Sequence, residues 1–227
     1  MTNKTAILIF ANSAKKESLN KPFQHAAVLF QELNTQIESK VKQTKLPYFI
    51  VSENLQIGNT FGERFTNAIQ SIFNKGFDNV ITVGNDTPHL KTSHINSAHK
   101  KLKTNNLVLG PSQDGGFYLM GISKEQFNAK HFRALPWQNS KIRQGITNLL
   151  SLKEVEVSLL ETLNDIDSAL DVKNIINSFR NLSTLIKSIL LLIITSAKAK
   201  TTHKTQFLEL NLTSLHFNKG SPYIFSV

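Results

Sequence analysis

The first residue type that suggests chemistry is an aspartate that follows an apolar run. Asp86 stands two residues after Gly84, in the stretch VITVGNDTPHL of residues 80–90. A carboxylate at the carboxyl end of a buried strand can hold Mg²⁺ or Mn²⁺, which prefers one or two carboxylates plus phosphate oxygens. An Asp before Thr-Pro also suits a turn or a helix N-cap, because its oxygens accept free backbone N–H groups. The residues alone leave both interpretations open.

A second pair of carboxylates lies in the stretch NDID of residues 164–167. Asp165 and Asp167 alternate, so on an extended segment they point to the same side. That arrangement would suit a second contact to a metal. Asp167 is also placed to cap a helix that begins near Ser168, where Ser168 and Asp171 have the spacing of a capping box.

The stretch GPSQDGGFYLMG, residues 110–121, combines four glycines with a proline. Adjacent glycines after an aspartate allow a tight turn with positive φ and let a ligand approach the backbone. Asp-Gly is equally a signal for an ordinary hairpin. Asp114 is a candidate catalytic base only because it sits beside these flexible glycines.

Two further residues suggest contacts to a substrate. Arg64 lies in the first turn of a helix, where the helix dipole disfavours a cation, so phosphate recognition competes with simple solvation. Trp137 is the only tryptophan and follows Leu135-Pro136. A packed corner and a wall for a ring-shaped substrate are both compatible with it.

Strands alternate with helices along the chain, which predicts an α/β fold with a mainly parallel sheet. In such sheets ligands bind at the carboxyl ends of the strands, which is where Asp86 stands. The clearest helix is 61–73, with an apolar stripe and a C-terminal cap at Lys75-Gly76. The predicted strands are 6–11, 48–52, 79–83, 107–109, 117–122 and 155–160, and the predicted helices are 22–42, 61–73, 88–102, 142–150 and 168–179.

Composition narrows the function classes. The chain has 227 residues, a formal charge of +10 and no Cys, which excludes disulfides, thiolate nucleophiles and Cys-ligated metals and fits a cytoplasmic protein. The lysines are scattered without interleaved aromatics, so nucleic acid binding is not favoured. We divide the chain into a domain, 1–181, and an extension, 182–227, that is apolar and then basic. Residues 185–204 suit a helix packed on the domain, a peripheral contact with an anionic membrane, or a dimer contact.

Four blocks in order carry a resemblance: GNTFGER at 58–64, VGNDTPHL at 83–90, LGPSQDGGFYLMGI at 109–122 and LNDID at 163–167, with LPW at 135–137 between the last two. They resemble a bacterial family of nucleotide-diphospho-sugar-transferase-like proteins, some assigned to arsenosugar biosynthesis as glycosyltransferases. The resemblance covers about residues 5–180. It implies a GT-A-like, Rossmann-like three-layer fold that binds a nucleotide and Mg²⁺ or Mn²⁺.

The resemblance also implies roles for single residues. Asp86 would bind the metal or the diphosphate, and Asp167, or else Asp165, would complete the metal site. The residues expected to border the nucleotide-activated substrate are Arg64, Gly84, Asn85, Asp86, Gly110, Pro111, Gly115, Gly116 and Trp137.

One segment departs from the family pattern. The family carries a Pro/Gly-rich basic loop after the first strand that ends in Lys-Thr-Arg, whereas residues 12–22 contain no Gly and no Arg. Lys15, Lys16 or Lys21 would have to supply the charge. The leading hypothesis is a metal-dependent glycosyltransferase. A nucleotidyltransferase that releases pyrophosphate, and a non-catalytic binding protein docked through its basic tail, stay open.

Overall fold

A computed structural model describes residues 3–151, 157–178 and 180–197. The strands are β1 Thr5–Phe10, β2 Tyr48–Val51, β3 Asn79–Val83, β4 Leu107–Pro111, β5 Phe117–Ser123 and β6 Val157–Leu159. The helices are α1 Ala14–Asn20, α2 Ala26–Gln43, α3 Phe61–Asn74, α4 Thr92–Lys101, α5 Ala129–Arg133, α6 Ile142–Ser151, α7 Ala169–Ile176 and α8, residues 184–197.

The six strands form one sheet in the order β2-β1-β3-β5-β4-β6. Pairs β1–β2, β1–β3 and β4–β6 are parallel, whereas β5 is antiparallel to both of its neighbours. Five strands therefore run in one direction, and the predicted α/β fold with a mainly parallel sheet is confirmed. Their carboxyl ends meet at one edge of the sheet, together with the start of β5.

Side chains that alternate along the strands point to opposite faces of the sheet and contribute to two hydrophobic cores. In β1, Ala6 and Leu8 join the core under α3, α5 and α6, while Ile7 and Ile9 join the core under α2 and α4. Helices thus cover both faces of the sheet, as in a three-layer α/β fold. The apolar stripe predicted for α3 is buried against the sheet, and its capping box at Thr60 and Glu63 fixes where the helix begins.

The apolar segment that follows the predicted boundary at residue 181 packs onto the domain. On α8, residues 186, 189, 190 and 193 share one helix face and are buried against α2 and α7. Leu185, Leu191 and Leu192 remain about half exposed. Membrane or dimer contact through this segment stays a prediction, and residues 198–204 lie outside the described part of the chain. Among the described residues, no helix is both long and apolar enough to cross a bilayer.

One local prediction was wrong, and one helix was not predicted. Helix α4 begins at Thr92 instead of Pro88, because residues 87–90 form a turn closed by the Leu90 N–H donating to the Thr87 carbonyl. The backbone N–H of Lys91 then donates to His94 Nδ1 at 3.2 Å and caps the helix there. The segment 12–22 contains helix α1, which its sparse apolar residues did not indicate.

Candidate active site

The carboxyl-end edge of the sheet holds an open cleft of about 930 Å³. Every strand that ends at this edge contributes, through the segments after β1, β2, β3, β4 and β6. The cleft brings together these residues singled out in the sequence: Arg64, Gly84, Asn85, Asp86, Asp114, Gly116, Trp137, Asp165 and Asp167. Residues distant in the chain therefore converge where ligands bind in α/β sheets.

Asp86 is held against the segment that carries the other two aspartates. The Ile166 N–H donates to the Asp86 carbonyl at 2.9 Å, so Asp165 and Asp167 flank the attachment point. The Thr87 hydroxyl lies 2.5 Å from Asp165 Oδ1 and 3.5 Å from Asp86 Oδ1. A single hydroxyl thus stands between two carboxylates that approach each other.

The electrostatics of this pair are unfavourable without a cation. Burial raises the pKa of both Asp86 and Asp165, and repulsion from Asp86 raises that of Asp165 further. The Lys21 ammonium offsets part of the shift at Asp86. Two partly accessible carboxylates in this state are a donor set for a hard divalent ion, which takes oxygen ligands.

Asp167 has a different partner. Its Oδ1 lies 2.6 Å from the Lys21 ammonium, and its side chain is 61% exposed while that of Lys21 is 11% exposed. It does not cap α7, since Ser168 is the N-cap. The resemblance named Asp167 first as the second metal ligand, but in the structure Asp165 contacts the Thr87 hydroxyl while Asp167 contacts Lys21. No group of three or more His, Asp or Glu side chains able to hold a metal occurs in the described ranges.

The glycine-rich stretch forms a tight turn between β4 and β5. Asp114 Oδ1 accepts from the Gly116 N–H at 2.8 Å and from the Ser112 hydroxyl, so the carboxylate closes its own loop. The loop is joined to the segment 163–167, which carries Asp165 and Asp167, because the Gln113 N–H donates to the Leu163 carbonyl at 3.1 Å. Asp114 is exposed at the cleft wall.

Three residues expected at the substrate do not line the cleft: Gly110, Pro111 and Gly115. A Cβ on Gly110 would lie 2.4 Å from Tyr118 Cζ, and one on Gly115 would lie 2.2 Å from the Ser140 carbonyl oxygen. Pro111 is buried in β4. These glycines allow close packing of the protein on itself, which the sequence could not distinguish from close approach of a ligand. Their role in binding stays a prediction.

Asn85 lines the cleft but also ties its walls together. This buried amide donates to Asn34 Oδ1 at 2.8 Å and to the Asn12 carbonyl at 3.4 Å. Through these bonds, the segment after β3 is linked to α2 and to the segment after β1. Gly84 lies beside it, where a Cβ would approach Asp86 Oδ1 to 3.2 Å.

The opposite wall of the cleft is aromatic. Trp137 packs at 5.1–6.3 Å from the rings of Phe61, Phe65 and Phe117, and its Nε1 donates to the Phe132 carbonyl at 2.6 Å. Arg64 stands on the same side and donates to the Asn59 carbonyl at 3.0 Å. The wall therefore offers ring faces and one guanidinium.

The sequence reasoning missed two glutamates in the cleft. Glu17, on α1, is buried and accepts from the Asn12 side chain at 2.8 Å. Glu53 accepts from the Ser13 N–H at 2.7 Å and from the Ser13 hydroxyl, which lowers the pKa of the carboxyl group. Glu53 follows β2, so the rule that flagged Asp86 could have found it. Nothing in the pattern of residues 12–22 indicated that Glu17 would turn inward.

With the site in place, comparison identifies the family. A family model described as "Uncharacterized protein conserved in bacteria (DUF2064)" matches residues 24–139, just over half of the chain. The protein belongs to this family. No curated protein matches its sequence.

One of the similar solved structures shares the overall fold. A candidate nucleotide-diphospho-sugar transferase from Desulfovibrio desulfuricans G20 is 22% identical with a TM-score of 0.72, over 86% of this chain and 98% of that one. A hypothetical transferase from Thermus thermophilus is 14% identical with a TM-score of 0.47, over 75% and 99%. Rv0371c from Mycobacterium tuberculosis H37Rv is 12% identical with a TM-score of 0.45, over 78% and 100%. The first likeness supports the predicted nucleotide-sugar-transferase type of fold for this family member.

Proposed function

We propose that this family member is a metal-dependent transferase that takes a glycosyl group from a nucleotide-diphospho sugar. The observation that carries the proposal is the approach of Asp86 and Asp165 around one hydroxyl, at the open end of the sheet. Two carboxylates are what Mg²⁺ or Mn²⁺ needs from a protein when phosphates supply the other ligands. The fold shared with the Desulfovibrio protein is compatible with a nucleotide sugar as donor.

The chain's own residues divide the work. Asp86 and Asp165 would hold the ion, which supplies charge neutralisation at the leaving diphosphate. Arg64 offers a guanidinium to a phosphate from the aromatic side. Asp114 would accept the acceptor's proton, because its Oδ2 has no hydrogen-bond partner among the described residues while Oδ1 is fixed by the turn. Trp137 would contact a ring of the substrate.

The metal requirement has a simple test in thermal unfolding. We expect Mn²⁺ or Mg²⁺ together with one class of nucleotide sugar to raise the midpoint by a few degrees, since a ligand at 100 times its Kd stabilises by about 2.7 kcal/mol. Asp86→Asn keeps the shape and removes the charge, so it should abolish the shift. Asp78→Asn, before the amino end of β3, is the matched control and should keep it.

Product analysis separates the chemical alternatives. A free nucleoside diphosphate as product would support glycosyl transfer, whereas pyrophosphate would indicate a nucleotidyltransferase. Metal-dependent binding without turnover would indicate a binding protein, as the altered segment 12–22 suggests. A shift that survives in Asp86→Asn would contradict the proposed site. A cytoplasmic location stays a prediction.

A further inference from the structure

Lys21 lies beside the cleft, in contact with Asp167, which lines it. It follows the last residue of α1, and its N–H donates to the Glu17 carbonyl at 2.9 Å, so the helix end fixes its backbone. Its ammonium lies 2.6 Å from Asp167 Oδ1 and 5.3 Å from the centroid of the Phe30 ring. A lysine that is 11% exposed with an ion partner is held in place by its surroundings.

The carboxylates around this lysine explain why it stays charged. Burial alone would lower the pKa of Lys21, but Asp86, Asp167 and Glu17 more than offset burial and raise it. Lys21 thus balances part of the charge that Asp86, Asp165 and Asp167 bring to one place. Those three carboxylates, one ammonium and one divalent ion together carry no net charge.

We propose that Lys21 is a tethered cation that fills the place of a second metal ion and keeps Asp167 out of the coordination shell. This inference rests on the proposed metal site at Asp86 and Asp165. It assigns the site a capacity of one divalent ion. It also gives segment 12–22 a function. The end of α1 places the backbone of Lys21 where its side chain can reach Asp167.

Direct Mn²⁺ binding tests the inference without any turnover. Calorimetry, with free Mn²⁺ counted by electron paramagnetic resonance, should give one site in the wild type. Lys21→Met keeps an unbranched side chain only one atom shorter and removes the charge. We expect this variant to bind Mn²⁺ about tenfold more tightly or to take a second equivalent, because Asp167 is released and a repelling charge is gone. Lys16→Met is the matched control, because Lys16 lines the cleft but forms no ion pair with Asp167. Its Mn²⁺ affinity should stay within about twofold of the wild type.

Asp167→Asn completes a double-mutant cycle. In the wild-type background it should change Mn²⁺ affinity by less than about twofold, since Lys21 already engages Asp167; in the Lys21→Met background it should remove the gain. If Lys21→Met fails to fold, Asp167→Asn alone decides: a tenfold loss would mean that Asp167 is a ligand, and the inference would be wrong.

The pattern of results separates this inference from the proposed function. Wild-type binding that Asp86→Asn abolishes, together with no gain in Lys21→Met, would overturn the role of Lys21 and leave the metal site standing. Absence of Mn²⁺ binding in every variant, both with the metal alone and with a nucleoside diphosphate present to supply phosphate ligands, would overturn both.

Discussion

Gly62, in the first turn of α3, controls where the only tryptophan sits. A Cβ added to Gly62 would lie 2.3 Å from Trp137 Cδ1 and 2.8 Å from Nε1, whereas ordinary contacts begin at 3.4 Å. In Gly62→Ala the indole must therefore move by about 1 Å or more. That movement would pull Nε1 from the Phe132 carbonyl, now at 2.6 Å, and displace part of the aromatic wall.

The expected magnitude follows from three opposing effects. Overpacking of a buried contact costs about 1–3 kcal/mol, and loss of the indole hydrogen bond costs about 1 kcal/mol. Replacing Gly by Ala within a helix returns up to about 1 kcal/mol. We expect Gly62→Ala to lower the free energy of unfolding by about 1–3 kcal/mol, which corresponds to a loss of several degrees in the thermal midpoint.

The assay combines urea unfolding with the emission of Trp137, which needs no label because no other tryptophan is present. Gly62→Ala should lower the unfolding midpoint and change the emission wavelength of the folded protein. The Trp137→Leu background is the control: without the indole, the same substitution should become neutral or stabilising. An equally stable Gly62→Ala protein with unchanged emission would refute the placement of Trp137.

Two further predictions concern Asn85, which lines the cleft, and the buried His89, which lies near Ser178. Asn85→Ala should reduce the free energy of unfolding by about 1–3 kcal/mol in urea titration, because Asn34 loses its buried donor, and the exposed Asn74→Ala should change it little. Burial lowers the pKa of His89 to about 4, so the unfolded chain takes up a proton first at this position and the contribution of His89 to stability should fall as the pH drops from about 6.5 towards 4. Asp86 and Asp165, whose pKa values are raised, contribute with the opposite sign, so the readout is the difference between wild type and His89→Gln. The urea midpoint of the wild type should fall relative to that of His89→Gln across this range; equal slopes would contradict a buried neutral His89.

The parts of the fold that the sequence predicted are those where a local pattern has one physical cause. The stripe of α3 repeats with the helical period because one face is buried, and β3 is an apolar run because both of its faces are covered. Asp86 could be placed at the end of β3 for the same reason. Helix α1 could not be predicted in this way, since it buries little apolar surface. Ser13 caps it, and hydrogen bonds from Ser13 to Glu53 hold its start in place.

The choice between Asp165 and Asp167 shows the limit of reading spacing alone. Alternation places both on the same side of an extended strand, but residues 164–167 form no regular strand in the structure. Their neighbours decide instead: Thr87 meets Asp165, and Lys21 meets Asp167. Both partners are more than 75 residues away in sequence, so only the folded chain could assign the roles.

The charge of the whole chain gives the wrong impression of its cleft. The protein carries a formal charge of +10, yet six carboxylates line the cleft against the cations Lys16 and Arg64. A nucleoside diphosphate is itself an anion, so the carboxylates of the cleft would repel it. Salt screens this repulsion only weakly, because the charges would be closer together than a Debye length. Lys21 compensates only part of the deficit. If the site acts as proposed, the divalent ion must therefore bind before the substrate or together with it. Segment 12–22 contributes only Lys15, Lys16 and Lys21 as cations, and Lys21 is already paired with Asp167.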